Sequence, residues 1–330
     1  MATIPVLDVG PYLAGATDAR ERLAGLLREA CESVGFYYLV NHGVSQDLID
    51  LAFEEARRFH ALPEAVKLAV RQGEHYVGYV PPGGIRINAG GGFDNKANRA
   101  DLHVAYHINL DFPRDHPAVR AGRRFHIPQP WPDGLPGFRE NIMAYYRATF
   151  DLGQKLLPVY ATALGAPADH FKQSFVDPLA WLRLIYYPRV AERAANQFGV
   201  GAHSDGGFLT LLPQTEVPGL EIRMPDGEWS APPPLPGAYI VNAGQILRRW
   251  SNDRFVATPH RVISPLGNVD RYSVPMFFNP AADAFIECLL REPGEAARYP
   301  STTYGEHLDW YLAQTYKAAA DSRRRWLGRW

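Results

Sequence analysis

The chain has 330 residues, a hydrophobic fraction of 46% and a formal net charge of -1 at pH 7. That length and apolar content suffice for a large buried core, while near-neutrality removes the long-range attraction that a nucleic-acid or anionic-lipid partner would need. With 29 Gly and 28 Pro the sequence favours short strands and many turns, and its two cysteines, Cys31 and Cys288, suggest neither a disulfide framework nor a thiolate metal site.

No basic flank leads into an apolar segment at the N-terminus, and no run approaches about 20 apolar residues. The expectation is a soluble, cytoplasmic protein with no membrane partner. Residues 4–8 read as a short strand and residues 18–33 as a helix, with Leu23, Leu26, Leu27 and Ala30 at helical spacing. The aromatic and β-branched run 35–40 is a second strand; Asn41-His42-Gly43 then turns the chain into a helix from about Ser45 through Phe59. His42, in a turn before Gly, reads as a hydrogen-bonding residue rather than a metal ligand.

The glycine-rich stretch 83–92 lacks the leading strand and the Lys-Ser/Thr of a phosphate cradle, so it is either a mobile surface loop or a lid beside a site. Residues 101–110 alternate as a strand that puts His103 and His107 on one face, without an acidic partner to make a metal site. After a Pro-rich connector, Ile142, Tyr145, Tyr146, Thr149, Leu152, Leu156 and Leu157 mark the longest helix, which Pro158 is expected to kink or interrupt.

Residues 181–188 read as a buried strand. In the segment 201–212, His203 and Asp205 stand at i and i+2, and on an extended strand they would leave the same face. His260 opens another β-branched run and supplies a third ligand. Two His and one Asp leave three adjacent positions free on an octahedral metal, which suits non-haem Fe(II) binding a co-substrate and O2; zinc would ask for a tetrahedral site.

Further on, Arg271 and Ser273 share a strand face, and a guanidinium beside a hydroxyl suits a carboxylate. Phe277 falls on the same face and is expected to meet substrate. Arg248 and Arg249 read as solvent-facing or ion-paired, or as mouth contacts for an anionic substrate. The short strands at 220–224 and 237–241 suggest an antiparallel jelly roll. The tail 304–330 reads as a helix docked on the N-terminal part, with a cap over the barrel mouth or a dimer contact as the alternatives.

His203-Ser204-Asp205, His260 and Arg271-Tyr272-Ser273 resemble the HxD…H…RxS signature of the isopenicillin N synthase-like Fe(II)/2-oxoglutarate-dependent oxygenases. Gly219-Leu220-Glu221-Ile222, Trp229, Asn242-Ala243-Gly244, Ser251-Asn252 and Phe277-Phe278-Asn279-Pro280 follow in that family's order. The resemblance implies a mainly β fold with flanking helices: an N-terminal α/β extension at 1–175, a double-stranded β-helix (jelly-roll) core at 176–282 and a C-terminal helical segment at 283–330.

It further implies that His203, Asp205 and His260 hold Fe(II), and that the far carboxylate of 2-oxoglutarate meets Arg271 and Ser273, with Tyr187 as a further co-substrate contact. O2 would then oxidise a small to mid-sized metabolite, of the kind found in secondary metabolism, by hydroxylation, desaturation or ring closure, releasing succinate and CO2. Many relatives carry Asn where this chain has Ile185, which removes one co-substrate hydrogen bond. An Fe(II) oxidase of the isopenicillin N synthase type that uses no 2-oxoglutarate is therefore the alternative, and a non-catalytic small-molecule binding module on the same scaffold is the second.

Overall fold

The computed structural model describes residues 3–84, 87, 89–90, 92–95, 99–290 and 294–315. Gly91 of the glycine-rich stretch and the predicted tail beyond Thr315, with Arg323, Arg324 and Arg325, lie outside the described residues. The chain opens with β1 (Val6–Asp8), α1 (Gly10–Leu13), α2 (Ala19–Ser33), β2 (Phe36–Val40), α3 (Gln46–His60), α4 (Glu64–Ala69) and β3 (Gly78–Val80). A small ribbon, β4 (Ala89–Gly90) and β5 (Phe93–Asp94), precedes β6 (Val104–Ile108), α5 (Pro117–Arg120) and α6 (Phe138–Ala163). Then come β7 (Ala180–Tyr187), β8 (Val200–His203), β9 (Leu209–Pro213), β10 (Leu220–Arg223), β11 (Trp229–Ser230), β12 (Tyr239–Ala243) and α7 (Gln245–Trp250). The chain closes with β13 (His260–Val262), β14 (Arg271–Ser273), β15 (Met276–Phe278), β16 (Phe285–Ile286), β17 (Thr302–Thr303) and α8 (Tyr304–Thr315).

Two sheets make the jelly roll. The larger runs β1-β2-β12-β9-β15-β7-β6-β3, with β14 also paired to β7, and the smaller runs β11-β10-β13-β8. Strands from the N-terminal part join the larger sheet at both ends, because β2 pairs with β12 and β6 with β7. The extension is thus continuous with the core by backbone hydrogen bonding. Helix α6 packs behind this sheet, and α2 and α3 pack on α6.

The helices follow their apolar stripes. On α2, Leu23, Ala24, Leu27, Ala30 and Cys31 are buried, whereas Leu26, placed in the stripe by spacing, is exposed. Ser45 caps α3 by accepting from the Leu48 amide at 3.3 Å. The buried Glu55 carboxylate accepts from Arg58 at 2.6 Å and from Asn141 of α6 at 2.6 Å, which gives an otherwise costly charge two partners. Contrary to expectation, α6 continues through Pro158 to Ala163. Burial of Leu156, Leu157, Val159 and Tyr160 around it outweighs one missing backbone donor.

Burial also sets a pH dependence. His60 ends α3 with Nε2 on the Leu184 carbonyl at 3.0 Å, and desolvation pushes its pKa down to about 4 despite that acceptor. His103, hydrogen-bonded to the Gly199 carbonyl, is lowered to about 4 for the same reason. Both rings are neutral in the fold and take up a proton more readily when it opens. Their stabilising contribution is therefore complete above the ordinary histidine range and falls as pH drops from about 6.5 to about 4. The urea midpoint of the metal-free protein is expected to fall across that window, and His60→Gln is expected to flatten the fall; an identical slope in the variant would remove His60 from the account.

Candidate active site

His203 ends β8 and His260 begins β13, and the two residues face each other across this antiparallel pair. Their ring centroids are 4.4 Å apart. Asp205 does not lie on the strand, as the spacing suggests, but in the turn between β8 and β9. That turn is pinned from α7: the Gln245 amide donates to the Asp205 carbonyl at 2.8 Å and the Gly244 amide to the Phe208 carbonyl at 2.9 Å. Such closeness excludes a side chain at position 244, where a Cβ would stand 2.1 Å from the Gly207 carbonyl oxygen. The result matches the prediction from strand period, by a different route.

The orientation of the three groups is that of a metal site. Nε2 of His203 and Nε2 of His260 each lie 3.6 Å from Asp205 Oδ1. Nδ1 of His203 faces the Gly201 carbonyl at 2.9 Å and Nδ1 of His260 faces the Thr258 carbonyl at 3.2 Å. Those carbonyls hold a proton on each Nδ1 and leave each Nε2 lone pair free for a cation. Asp205 Oδ2 accepts from Thr210 at 2.5 Å and from Asn242 at 2.8 Å, so Oδ1 is the oxygen left to coordinate. Burial alone would raise the Asp205 carboxyl, but His260, His203 and Asn242 together hold it below the ordinary carboxylate range. His260 itself is pushed down to about 4 by burial. Among the described residues this is the one His/Cys/Asp/Glu group of metal-binding geometry; His103 and His107 have separate partners, Gly199 and Gln72.

A cavity extends from the triad to Tyr187, Arg271 and Ser273. On β14 and β7, Arg271 stands opposite Tyr187 and Ser273 opposite Ile185. The Arg271 guanidinium lies 4.8 Å from the Tyr187 ring centroid, with Nε donating to the Val217 carbonyl at 3.3 Å. Its Nη1 is buried and makes no hydrogen bond. Burial lowers its pKa while Tyr187 opposes that shift. A buried cation with an unused donor, aimed into a cavity that ends at a metal-type triad, fits an anionic chelating ligand. Ile185 adds an apolar wall where an amide would have added a donor.

A second cavity shares His203, Asp205, Arg183, Thr210 and Phe277 with the first and continues to Leu308, Tyr311 and Leu312 of α8. Phe277 therefore faces the site, as its strand phase requires. Sequence reasoning missed most of the remaining wall, which includes Trp181, Arg183 and His107. Helix α8 touches the N-terminal part through β4 and the Arg124–Asp309 ion pair, and it also takes the alternative place over the site. This helix sits over the His203–Asp205 turn: Tyr311 donates to the Ser204 carbonyl at 3.0 Å, His307 Nε2 meets the Gly206 carbonyl at 2.9 Å, and Leu308 and Leu312 line the second cavity. Docking there requires Gly206, since a Cβ would lie 2.5 Å from the Tyr311 ring.

The glycine-rich stretch also reaches the site, because Ile87 lines the first cavity and its amide donates to Asp101, whose other oxygen accepts from Gly201 of β8. Arg248, by contrast, pairs with Asp253 at 2.6 Å, and Arg249 donates to the Pro300 carbonyl. Neither lines these two cavities. No helix among the described residues is long and apolar enough to cross a membrane.

Residues 4–134 match the family described as the non-haem dioxygenase in morphine synthesis N-terminal region, and residues 178–280 match the 2OG-Fe(II) oxygenase superfamily. A 2-oxoglutarate-Fe(II) type oxidoreductase of Emericella nidulans, hxnY, is 32% identical, with 96% of this chain and 91% of the relative covered. A 2OG-Fe(II) oxygenase family protein of Caulobacter crescentus superposes with a TM-score of 0.80 at 30% identity, over 95% of this chain and 100% of that one. A full-length Neurospora crassa protein in complex with alpha-KG and thymine superposes with a TM-score of 0.80 at 29% identity, over 94% and 96%. With 2-oxoglutarate named in both comparisons, the oxygenase reading stands over the oxidase and the binding module. The chain belongs to the isopenicillin N synthase-like family of Fe(II)/2-oxoglutarate-dependent oxygenases, and is a dioxygenase that uses Fe(II), 2-oxoglutarate and O2.

Proposed function

We propose that His203, Asp205 and His260 are the iron ligands, that Arg271, Ser273 and Tyr187 hold the far carboxylate of 2-oxoglutarate, and that Phe277 contacts the substrate. The observation that carries this reading is the pairing of two complementary sites in one cavity: free His Nε2 and Asp Oδ1 atoms at one end, an uncompensated guanidinium at the other. Bound iron would supply the oxidising chemistry, with O2 and 2-oxoglutarate as its co-substrates. The protein's part is to fix ligand orientation through Gly201, Thr258, Thr210 and Asn242, and to keep water out with α8 and Ile87.

The oxidised compound is a small to mid-sized metabolite lodged in the second cavity, changed by hydroxylation, desaturation or ring closure. Residues 1–175 act as the N-terminal extension packed on the core, 176–282 as the catalytic core and 283–330 as the C-terminal helical segment, whose described helix α8 lies over the site. Neither Cys31 nor Cys288 is in a disulfide, which fits a reducing cytoplasm. Anaerobic addition of Fe(II) and then 2-oxoglutarate is expected to produce the visible charge-transfer band of the chelate. Admitting air should then release succinate. Iron binding without the band would return the oxidase reading to the lead.

A further inference from the structure

Trp181 and Arg183 are alternate residues of β7, so both leave the same face of the larger sheet. Their cross-strand neighbours complete a patch: His107 of β6 stands opposite Arg183, and Phe277 of β15 stands opposite Trp181. All four line the second cavity. Two buried N–H groups in this patch make no hydrogen bond: Trp181 Nε1 and Arg183 Nε. His107 is buried and neutral, with its Nδ1 2.8 Å from Gln72 Nε2.

The guanidinium of Arg183 lies 4.3 Å from the Phe277 ring centroid, and Arg183 forms no ion pair among the described residues. Two of the nearby acceptors are already committed. Asn279 Oδ1 accepts from the Phe208 amide, and Asp205 Oδ2 from Thr210 and Asn242. Two unsatisfied donors, one of them on a cation, walled by the apolar Leu308 and Leu312, call for an acceptor from outside this patch.

We propose that the prime substrate is a carboxylic acid, its carboxylate seated on Arg183 with Trp181 as a flanking donor and its apolar body against Phe277, Leu308 and Leu312. A neutral carbonyl would satisfy one donor and leave the charge uncompensated; a planar carboxylate matches the guanidinium fork and cancels it. The patch borders the triad, since Arg183 and Phe277 line both cavities. Anchoring there holds the substrate's carbon skeleton beside the iron position. This assignment rests on the oxygenase reading of that triad.

The test uses the Fe(II)- and 2-oxoglutarate-saturated enzyme without oxygen, so that Arg271 is occupied. Phenyl-, naphthyl- and cyclohexyl-alkanoic acids, their primary amides and the matching amines are titrated calorimetrically. Acids are expected to bind in preference to amides and amines. Arg183→Met is expected to weaken the acids roughly tenfold to a hundredfold, and Trp181→Phe, which removes one N–H from an aromatic wall, by a smaller factor. The 2-oxoglutarate chelate band should persist in both variants, which shows that the fold and the first cavity survive. A panel in which no acid binds, amides that equal acids, or an Arg183→Met enzyme with undiminished acid affinity would each overturn the proposal. Absence of the chelate band in the unmodified enzyme strikes instead at the oxygenase reading, and is seen before any acid is added.

Discussion

Asp205→Ala is expected to reduce 2-oxoglutarate turnover by roughly a hundredfold or more, because removing even a group that merely orients a metal ligand costs about 10–100-fold and here the ligand itself is lost. Asp205 supplies the only negative charge of the triad, and the remaining His203 and His260 are neutral donors on one side of the site. The loss is compounded around it. Thr210 and the Asn242 amide both donate to Asp205 Oδ2 and would be left without their acceptor in a buried place. Asp205→Glu keeps the charge but displaces the carboxylate from those two donors, so partial iron binding with poor turnover is expected. The measurement is twofold: iron retained after dialysis, and the rise in melting temperature on adding Fe(II), which only a protein with a native-state site can give. An Asp205→Ala enzyme that keeps its iron, its thermal shift and its succinate yield would remove Asp205 from the metal site.

Much of this site is legible in the sequence because strand geometry and ligand chemistry are local. His260, Arg271 and Ser273 could be proposed from strand patterning and from what their side chains can bind, whereas Tyr187 came only with the family resemblance. Asp205 was placed on the correct side of the site by an assumption about strand phase that does not hold: a glycine turn aims it, and backbone bonds from Gly244 and Gln245 hold that turn. Carrying the same period back from Tyr187 through Ile185 reaches Arg183 and Trp181, so a lone Arg in an apolar strand was a signal available and unused. The opposing His107 was not available, since its register against β7 depends on which strand pairs there. Nor could the tail helix be docked from its own stripe. An apolar face says that a helix packs, not where; Gly206, about a hundred residues earlier, leaves the space that Tyr311 fills.

Arg271→Met should raise the 2-oxoglutarate concentration needed for half-maximal turnover about a hundredfold, while the rate at saturation changes much less. The reason lies in what the guanidinium lacks. It is buried, its Nε reaches only the Val217 carbonyl at 3.3 Å, and its Nη1 has no partner, so the protein alone leaves the charge poorly compensated. A ligand carboxylate would add charge-assisted hydrogen bonds worth roughly 1.5–3 kcal/mol each, and two of them account for a hundredfold or more. Because this contact is remote from the triad, its loss weakens binding of the ground state and of the reacting state alike.

The same bookkeeping predicts opposite effects on the empty and loaded protein. Without ligand, Arg271→Met should melt at the same temperature as the parent or higher, since an apolar chain of similar length replaces an uncompensated cation. With 2-oxoglutarate, only the parent should gain stability. Ser273→Ala, which removes a single neutral hydroxyl, should cost less than Arg271→Met, and Arg271→Lys should fall between, keeping charge without the fork. Unchanged 2-oxoglutarate dependence in Arg271→Met would mean that the co-substrate's far carboxylate rests elsewhere in the cavity, with Arg183 as the next cation along its wall.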